Sequence, residues 1–402
     1  MSNPKEALPE PVSIDTIRQM LEGLRTSASL LPEILSIEPM NVTAQYHRLY
    51  TIKLAAQLDK HHLPYDELIL RIAGRHLPAI KTRNEVATLL WLRAKTTIRV
   101  PDVISFNDSD QNILGYEYTL MTKEDGVVLS DVWDDLTEEK QDHVIGQLID
   151  HMVELHRIPW DGIGGLSVDV MIPGSEPTLG RVVDEDFWQT QDIAKYWSEE
   201  ETVETLNIGG PFKTYLDLVI ARVRLYIKLI QKHPSLEFMQ DDLPRLDAFI
   251  EVLKSRKDAG TADPDRLNQT KQRLVHRDLH FGNILIDLPT ADIYAVLDWE
   301  FAGVVPFIEW NPHKAFLWNA RDGPESAQQK EKLMKRFERL CWETKAVPLL
   351  LDAKFSSPFQ EKVHNVHNYL RAIVEVCPRG QRQDLVQGWR QTVLDNLKAF
   401  GV

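Results

Sequence analysis

The chain has 402 residues, 43% of them apolar, with 46 Lys plus Arg against 60 Asp plus Glu and a formal net charge of −14. A chain of this length can bury a core without disulfide or metal staples and implies two or three domains. The acidic balance argues against nonspecific binding to nucleic acid or anionic membrane, which both need a positive field. Cys341 and Cys377 stand outside any CxxC or His-rich spacing, no uncharged apolar run reaches about 18 residues, and the acidic, proline-containing start does not read as a signal peptide. The expectation is a cytoplasmic protein.

Residues 1–40 read as a tail followed by a helix. Ile14, Ile17, Met20, Leu21 and Leu24 recur at helical spacing behind Ser13, a suitable N-cap. The period then changes. Leu49, Thr51 and Lys53 alternate with Tyr50, Ile52 and Leu54, and after the polar turn DKHHLPYD comes the run Leu68 to Ile72, which together predict an antiparallel hairpin. A helix follows over about 81–95, carrying Glu85, Leu89, Leu90 and Leu92, and then two strands around Val100–Phe106 and Tyr116–Met121. These elements make residues 41–122 a small mixed lobe. From 123 to 402 the pattern is mainly helical, as in Val144, Leu148, Met152 and Leu155 or Leu216, Ile220, Val223 and Ile227. Lys257–Lys271 reads as an exposed loop, and Gly162-Ile163-Gly164 as a turn.

The segment LVHRDLHFGNILI, residues 274–286, holds a polar cluster between two short apolar runs. His276-Arg277-Asp278 followed by Asn283 meets the H-R-D-x-x-x-x-N spacing of phosphoryl-transfer loops, in which the Asp takes the acceptor hydroxyl's proton and the Asn ligates magnesium. A further apolar run, Tyr294 to Leu297, ends in Asp298-Trp299-Glu300, where a metal-holding carboxylate belongs. The chemistry needs these types: ATP carries several negative charges, so the site requires a magnesium ion, oxygen ligands for it and one oriented base. The plain alternative, a tight polar turn satisfied by its own backbone, serves for any one of these residues but not for the ordered set.

HRDLHFGNIL with the following LDWE resembles the aminoglycoside phosphotransferase and choline kinase type of protein kinase-like fold, over most of the chain from about residue 40. The resemblance implies an α+β, bilobal architecture, with a small mixed β-sheet N-lobe (41–122) that binds nucleotide and a large helical C-lobe (123–402). It implies Asp278 as base and Asn283 with Asp298 on magnesium. Arg71 in LILRIAG and Glu85 stand where such folds place a phosphate-binding cation and its helical partner, and Met121 lies in the segment suited to a hinge over adenine. His280 fits the family's loop and orders it; His156 reads as structural.

Three features depart from that pattern. The cation is Arg rather than Lys, residues 36–54 contain no glycine where a phosphate-covering loop belongs, and PFIEWNPHKAF replaces a customary Asp, for which Glu309 or Asn311 are candidates. The expected activity is ATP- and magnesium-dependent phosphorylation of a small-molecule hydroxyl acceptor, without nucleic acid, membrane or any assigned protein partner. The rival is a kinase-like binding protein without catalysis. An atypical protein kinase fits less well, since Pro306 follows Asp298 by eight positions with no A-P-E. The acidic stretches 184–188 and 198–204 read either as an attraction for a cationic acceptor or as solvated faces.

Overall fold

The computed structural model describes residues 8–28, 31–41, 46–55, 65–169, 174–310 and 326–402. Helix α1, Ile14–Ala28, starts where Ser13 Oγ accepts the Thr16 N–H at 3.1 Å. Its apolar stripe, Ile17, Met20 and Leu21, packs on Tyr50, Ile52, Leu68 and Leu70. Those residues belong to a five-stranded antiparallel sheet made of β1 (Ile34–Pro39), β2 (His47–Leu54), β3 (Glu67–Ala73), β4 (Val103–Asn107) and β5 (Tyr118–Thr122), in the order β1-β2-β3-β5-β4. The hairpin expected from the alternation is β2–β3, with Thr51 opposite Ile69 and Leu49 opposite Arg71. Since neighbouring side chains on a strand point to opposite faces, Leu68, Leu70 and Ile72 lie under α1 and Arg71 faces the other way.

One strand was not expected. β1 falls inside the stretch read as tail and helix, yet Pro39 pairs with Tyr50 and Ile34 with Leu54, so a boundary at residue 40 cuts the sheet. Its short sequence, ILSIEP, has too few alternations to stand out from a coil.

Helix α2, Ile80–Lys95, is covered on nearly every side, with Lys81, Thr82, Asn84 to Leu89, Trp91 and Leu92 all buried. A narrow stripe, Arg83, Leu90 and Ala94, faces solvent, and a helix buried on so much of its surface is wedged between two bodies, here the sheet and the helical region. That region contains the helices Glu138–Arg157, Tyr215–Lys232, Leu243–Ala259, Ser326–Glu343, Pro358–Arg379 and Gln383–Lys398. The stretch 257–271 is less loose than its composition suggests. Helix Leu243–Ala259 enters it, and the Asp263 carboxylate then accepts from Leu267 N at 2.8 Å and Arg256 at 3.1 Å, seating Leu267 in the core.

Between the lobes, strand Gln272–Val275 pairs antiparallel with Gly303–Pro306, and strand Ile284–Ile286 pairs with both Ile293–Val296 and Val127–Val128. Loop 276–283 and segment 297–302 are thereby held at both ends. Gly162-Ile163-Gly164 is no free turn: Gly164 exchanges hydrogen bonds with Val304 at 3.0 and 2.8 Å. A Cβ on Gly164 would strike the Gly180 carbonyl, and one on Gly165 would meet Asn84 Oδ1 at 2.6 Å, so these glycines serve close backbone approach.

Asn84 ties these parts together. Its Nδ2 donates to Glu300 O at 2.9 Å and Ala302 O at 2.8 Å, and its Oδ1 accepts from Leu166 N at 2.6 Å. All three bonds to these backbone groups are buried, so removing the amide strands their partners. Asn84→Ala should therefore cost about 2–4 kcal/mol of unfolding free energy, read as a lower denaturant midpoint at unchanged slope. A loss within about 0.5 kcal/mol would mean that Asn84 does not hold the segment.

Candidate active site

The loop after strand Gln272–Val275 is shaped by its own side chains. His276 Nε2 lies 2.7 Å from Leu297 O, so this nitrogen carries the proton, and Nδ1 then accepts the Asp278 N–H at 3.3 Å. Trp299 lies against the His276 ring with centroids 4.4 Å apart. His280 Nδ1 accepts from Gly282 N at 3.0 Å, and Asn283 Nδ2 donates to Asp278 O at 3.0 Å. Both histidines thus order the loop, as expected for His280. Arg277 (φ 72) and Asp298 (φ 65) adopt left-handed conformations that non-glycine residues rarely take, each costing roughly 1–3 kcal/mol. Such strain persists where surrounding contacts enforce it, and here it falls beside one carboxylate and on another.

The expected Arg71–Glu85 pair is present, and it is part of a larger cluster. Arg71 Nη1 lies 2.5 Å from Glu85 Oε1, while Nη2 lies 2.9 Å from Asp298 Oδ1, 3.3 Å from Glu300 Oε2 and 3.2 Å from His47 Nδ1. Lys81 completes it, pairing with Glu300 and donating to His47 Nε2 at 2.8 Å. Arg71 and Glu85 are not a surface pair, since the side chains retain only 12% and 4% exposure. Lys81 was missed, although its position four residues before Glu85 on a helix places both on one face. Glu300 and His47 carried no such local signal.

Each ionisation follows from burial against charge. Burial works against the Arg71 cation, but Glu85, Asp298 and Glu300 raise its pKa further above the ordinary value. Asp298 is held below the carboxylate range despite its burial, by Arg71 and Lys81. Asp278 is pushed up to about 7 by burial and by the negative charges of Asp298 and Glu185, with Asn283 partly opposing. Glu300 is raised as well, since burial, Asp298 and Glu85 outweigh Lys81 and Arg71. His276, His47 and His76 are lowered by burial and stay neutral near pH 7.

Asp278, Asn283 and Asp298 therefore lie together with Arg71 and Glu85. An Asp carboxylate plus an Asn amide whose nitrogen is already used leaves hard oxygen donors, the type magnesium takes. Met121 is not part of this group: it is buried among core residues that include Leu129 and Ile284. His156 is structural as expected, 2.9 Å from Asp352 and edge-on to Phe307. Glu309 does not brace the loop; it pairs with Arg222 on helix Tyr215–Lys232. Asn311, and residues 42–45 of the glycine-free connection, lie outside the described residues. The 184–188 stretch is mostly engaged, Asp184 with Arg277 and Asp186 with Arg371, while Glu185 contributes its field to Asp278.

The chain belongs to the phosphotransferase enzyme family, whose model matches residues 58–309. Among curated proteins it is similar to a subtelomeric hrmA-associated cluster protein of Aspergillus fumigatus, with 24% identity over 61% of this chain and 55% of that one. It is also similar to altered inheritance of mitochondria protein 9, mitochondrial, of Zygosaccharomyces rouxii, with 25% identity over 70% and 49%. The chain thus spans about half the length of the curated relatives it matches. A solved structure, the GDP complex of aminoglycoside 2'-phosphotransferase-IIIa, aligns over 96% of this chain and 99% of that one at 12% identity and a TM-score of 0.41. The cytoplasmic expectation is overturned by the mitochondrial designation of the Zygosaccharomyces relative and of its counterpart from Kluyveromyces lactis. No helix among the described residues is long and apolar enough to cross a membrane.

Two buried cations against three buried carboxylates make each charge depend on the others. Lys81→Met leaves Glu300 short of its nearest cation and should cost about 3–5 kcal/mol, the range for breaking a buried pair. Glu300→Gln added to it should recover part of that loss, giving a coupling of about 1 kcal/mol or more in a double-mutant unfolding cycle. Strict additivity would remove Lys81 from the cluster's electrostatics.

Proposed function

We propose that the protein is an ATP-dependent phosphotransferase that moves the γ-phosphoryl group to a hydroxyl of a small molecule, with Asp278 as base and Asn283 and Asp298 as magnesium ligands. The observation that carries this reading is the convergence of Asp278, Asn283 and Asp298 on one strained loop pair, with Arg71 reaching Asp298 from the sheet at 2.9 Å. Magnesium, when bound, supplies neutralisation of the phosphate charge. The chain's own groups do the rest.

Asp278 is half-buried, and its pKa near 7 suits a base working near neutrality, since a carboxylate at its ordinary pKa accepts a proton poorly. It accepts a hydrogen bond from the acceptor hydroxyl, turns the oxygen's lone pair toward the phosphorus, and takes the proton as the new O–P bond forms and the bond from the γ-phosphorus to the bridging oxygen breaks, releasing ADP. Arg71 offers a planar cation to phosphate while Glu85 keeps it from swinging away. His276 and His280 hold the loop in place, and their neutral rings add no competing charge. The short span from Asp298 to Pro306 disfavours a protein acceptor. A binding protein without catalysis remains the rival on one ground, the absence of glycine in 36–54.

A screen of ATP consumption against hydroxyl compounds finds the acceptor, and Asp278→Asn then tests the base. The variant should keep its fold and nucleotide binding while turnover falls about 10²- to 10⁴-fold. The base must be ionised, so kcat/KM, which reports the free enzyme, should rise with pH through about 7. Magnesium nearby favours the ionised form, so the limb in kcat should lie lower. Unchanged turnover, or a limb that survives in Asp278→Asn, removes Asp278 from this role.

A separate test addresses the metal. Asp298→Ala should abolish the magnesium dependence of ATP binding, and Asn283→Ala should weaken it less, because a neutral amide contributes less field than a carboxylate. Equal magnesium affinity in the parent and both variants, by calorimetry, sinks the assignment. If the parent binds no ATP even with magnesium, the binding-protein reading replaces the enzyme.

A further inference from the structure

We propose that Glu309, His364 and His367 form a second metal site, for a late first-row dication such as Zn²⁺, distinct from the magnesium position. One ligand atom from each of the three residues lies within 4.8 Å of the other two, the one such cluster among the described residues. His364 and His367 stand three apart on helix Pro358–Arg379, hence on one face, and Glu309 approaches from the turn after strand Gly303–Pro306.

The spacing fits a metal. Glu309 Oε1 lies 3.2 Å from His367 Nε2 and 3.9 Å from His364 Nδ1. Tetrahedral ligands at Zn–N and Zn–O distances of about 2.0–2.1 Å are separated by roughly 3.3 Å, so small ring rotations would bring the three atoms into place. Glu309 and His367 are nearly buried, at 12% and 4% exposure. They and His364 line a cavity of about 250 Å³ whose wall also carries Arg277. Three protein ligands leave an open coordination position toward that cavity.

The competing account is a purely structural ion pair, since Arg222 Nη1 lies 2.8 and 3.0 Å from the two Glu309 oxygens. That pair satisfies Glu309 but leaves His364 unexplained. His364 Nδ1 is buried, makes no hydrogen bond and faces the carboxylate, and its ring meets the His367 ring edge-on at 5.0 Å. Buried polar atoms are normally satisfied, and a dication satisfies both imidazoles at once. In the bound state Arg222 keeps the far oxygen and holds Glu309 anionic, as outer-sphere partners do. The Tyr215 hydroxyl, 3.5 Å from His367 Nε2, completes the polar surround. Two nitrogens and one carboxylate select zinc-like ions, while magnesium prefers an all-oxygen set.

The test uses the full chain, stripped with chelator and titrated without nucleotide. Zn²⁺ should bind at one equivalent by calorimetry, Co²⁺ should give visible d–d absorption, and Mg²⁺ should do neither. His364→Gln and His367→Gln, with folding checked by circular dichroism, should each weaken Zn²⁺ by at least about 100-fold, the upper end of what even supporting residues cost. Asp298→Ala should leave the affinity unchanged. If His367→Gln does not fold, His364→Gln decides, because its ring nitrogen makes no hydrogen bond to lose. No binding by the parent, equal affinity in the folded histidine variants, or loss with Asp298→Ala instead would overturn the proposal.

Discussion

Arg71 is the constraint on which the rest depends. One guanidinium on the central strand of the sheet reaches Glu85 on α2 and Asp298 and Glu300 beyond loop 276–283. Sheet, helix and loop are thereby held by a single planar group, which is rigid where a lysine chain is not. Burying so much charge is expensive, and the fold tolerates it because the positions of opposite charges are fixed by secondary structure on every side. Strand β3 is central, α2 is buried on most of its surface, and the Asp298 segment is stapled by Asn84.

The arginine is also explained by its company. A lysine ammonium has three donors at one point, enough for a helical Glu and a metal-holding Asp. Here the residue two beyond Asp298 is Glu300, a third buried carboxylate, and the cluster then needs a broader donor and a second cation. Arg71 and Lys81 meet that need, with neutral His47 lying between them. Beside this cluster the Asp278 carboxyl is raised by burial first, and then by the negative charges of Asp298 and Glu185.

Much of this was legible in the sequence, for definable reasons. The H-R-D-x-x-x-x-N spacing is local: His276 and Asn283 bond within the loop, so order along the chain is order in space. The β2–β3 hairpin was legible from its alternation, and Arg71 and Glu85 were placed by the resemblance to the kinase-like family. Long-range roles were not. Lys81 and Glu300 are 219 residues apart, and nothing in either neighbourhood announces the other. β1 was too short to show its alternation, and Gly164 looked like a turn because a close approach to Val304 and Gly180 has no sequence signature beyond the glycine itself.

Strain closes the argument about the loop. Arg277 and Asp298 both sit in left-handed backbone, at a combined cost of roughly 2–6 kcal/mol. Arg277 is held there by its guanidinium, which bonds Val183 O and Asp184, and Asp298 by Arg71. The same ion pairs that neutralise charge thus also keep the backbone in its unfavourable conformation, and Asp278 and Asn283 inherit their positions from it. A neutral turn of the same sequence length would relax. The carboxylates stay together because the surrounding cations oppose that relaxation.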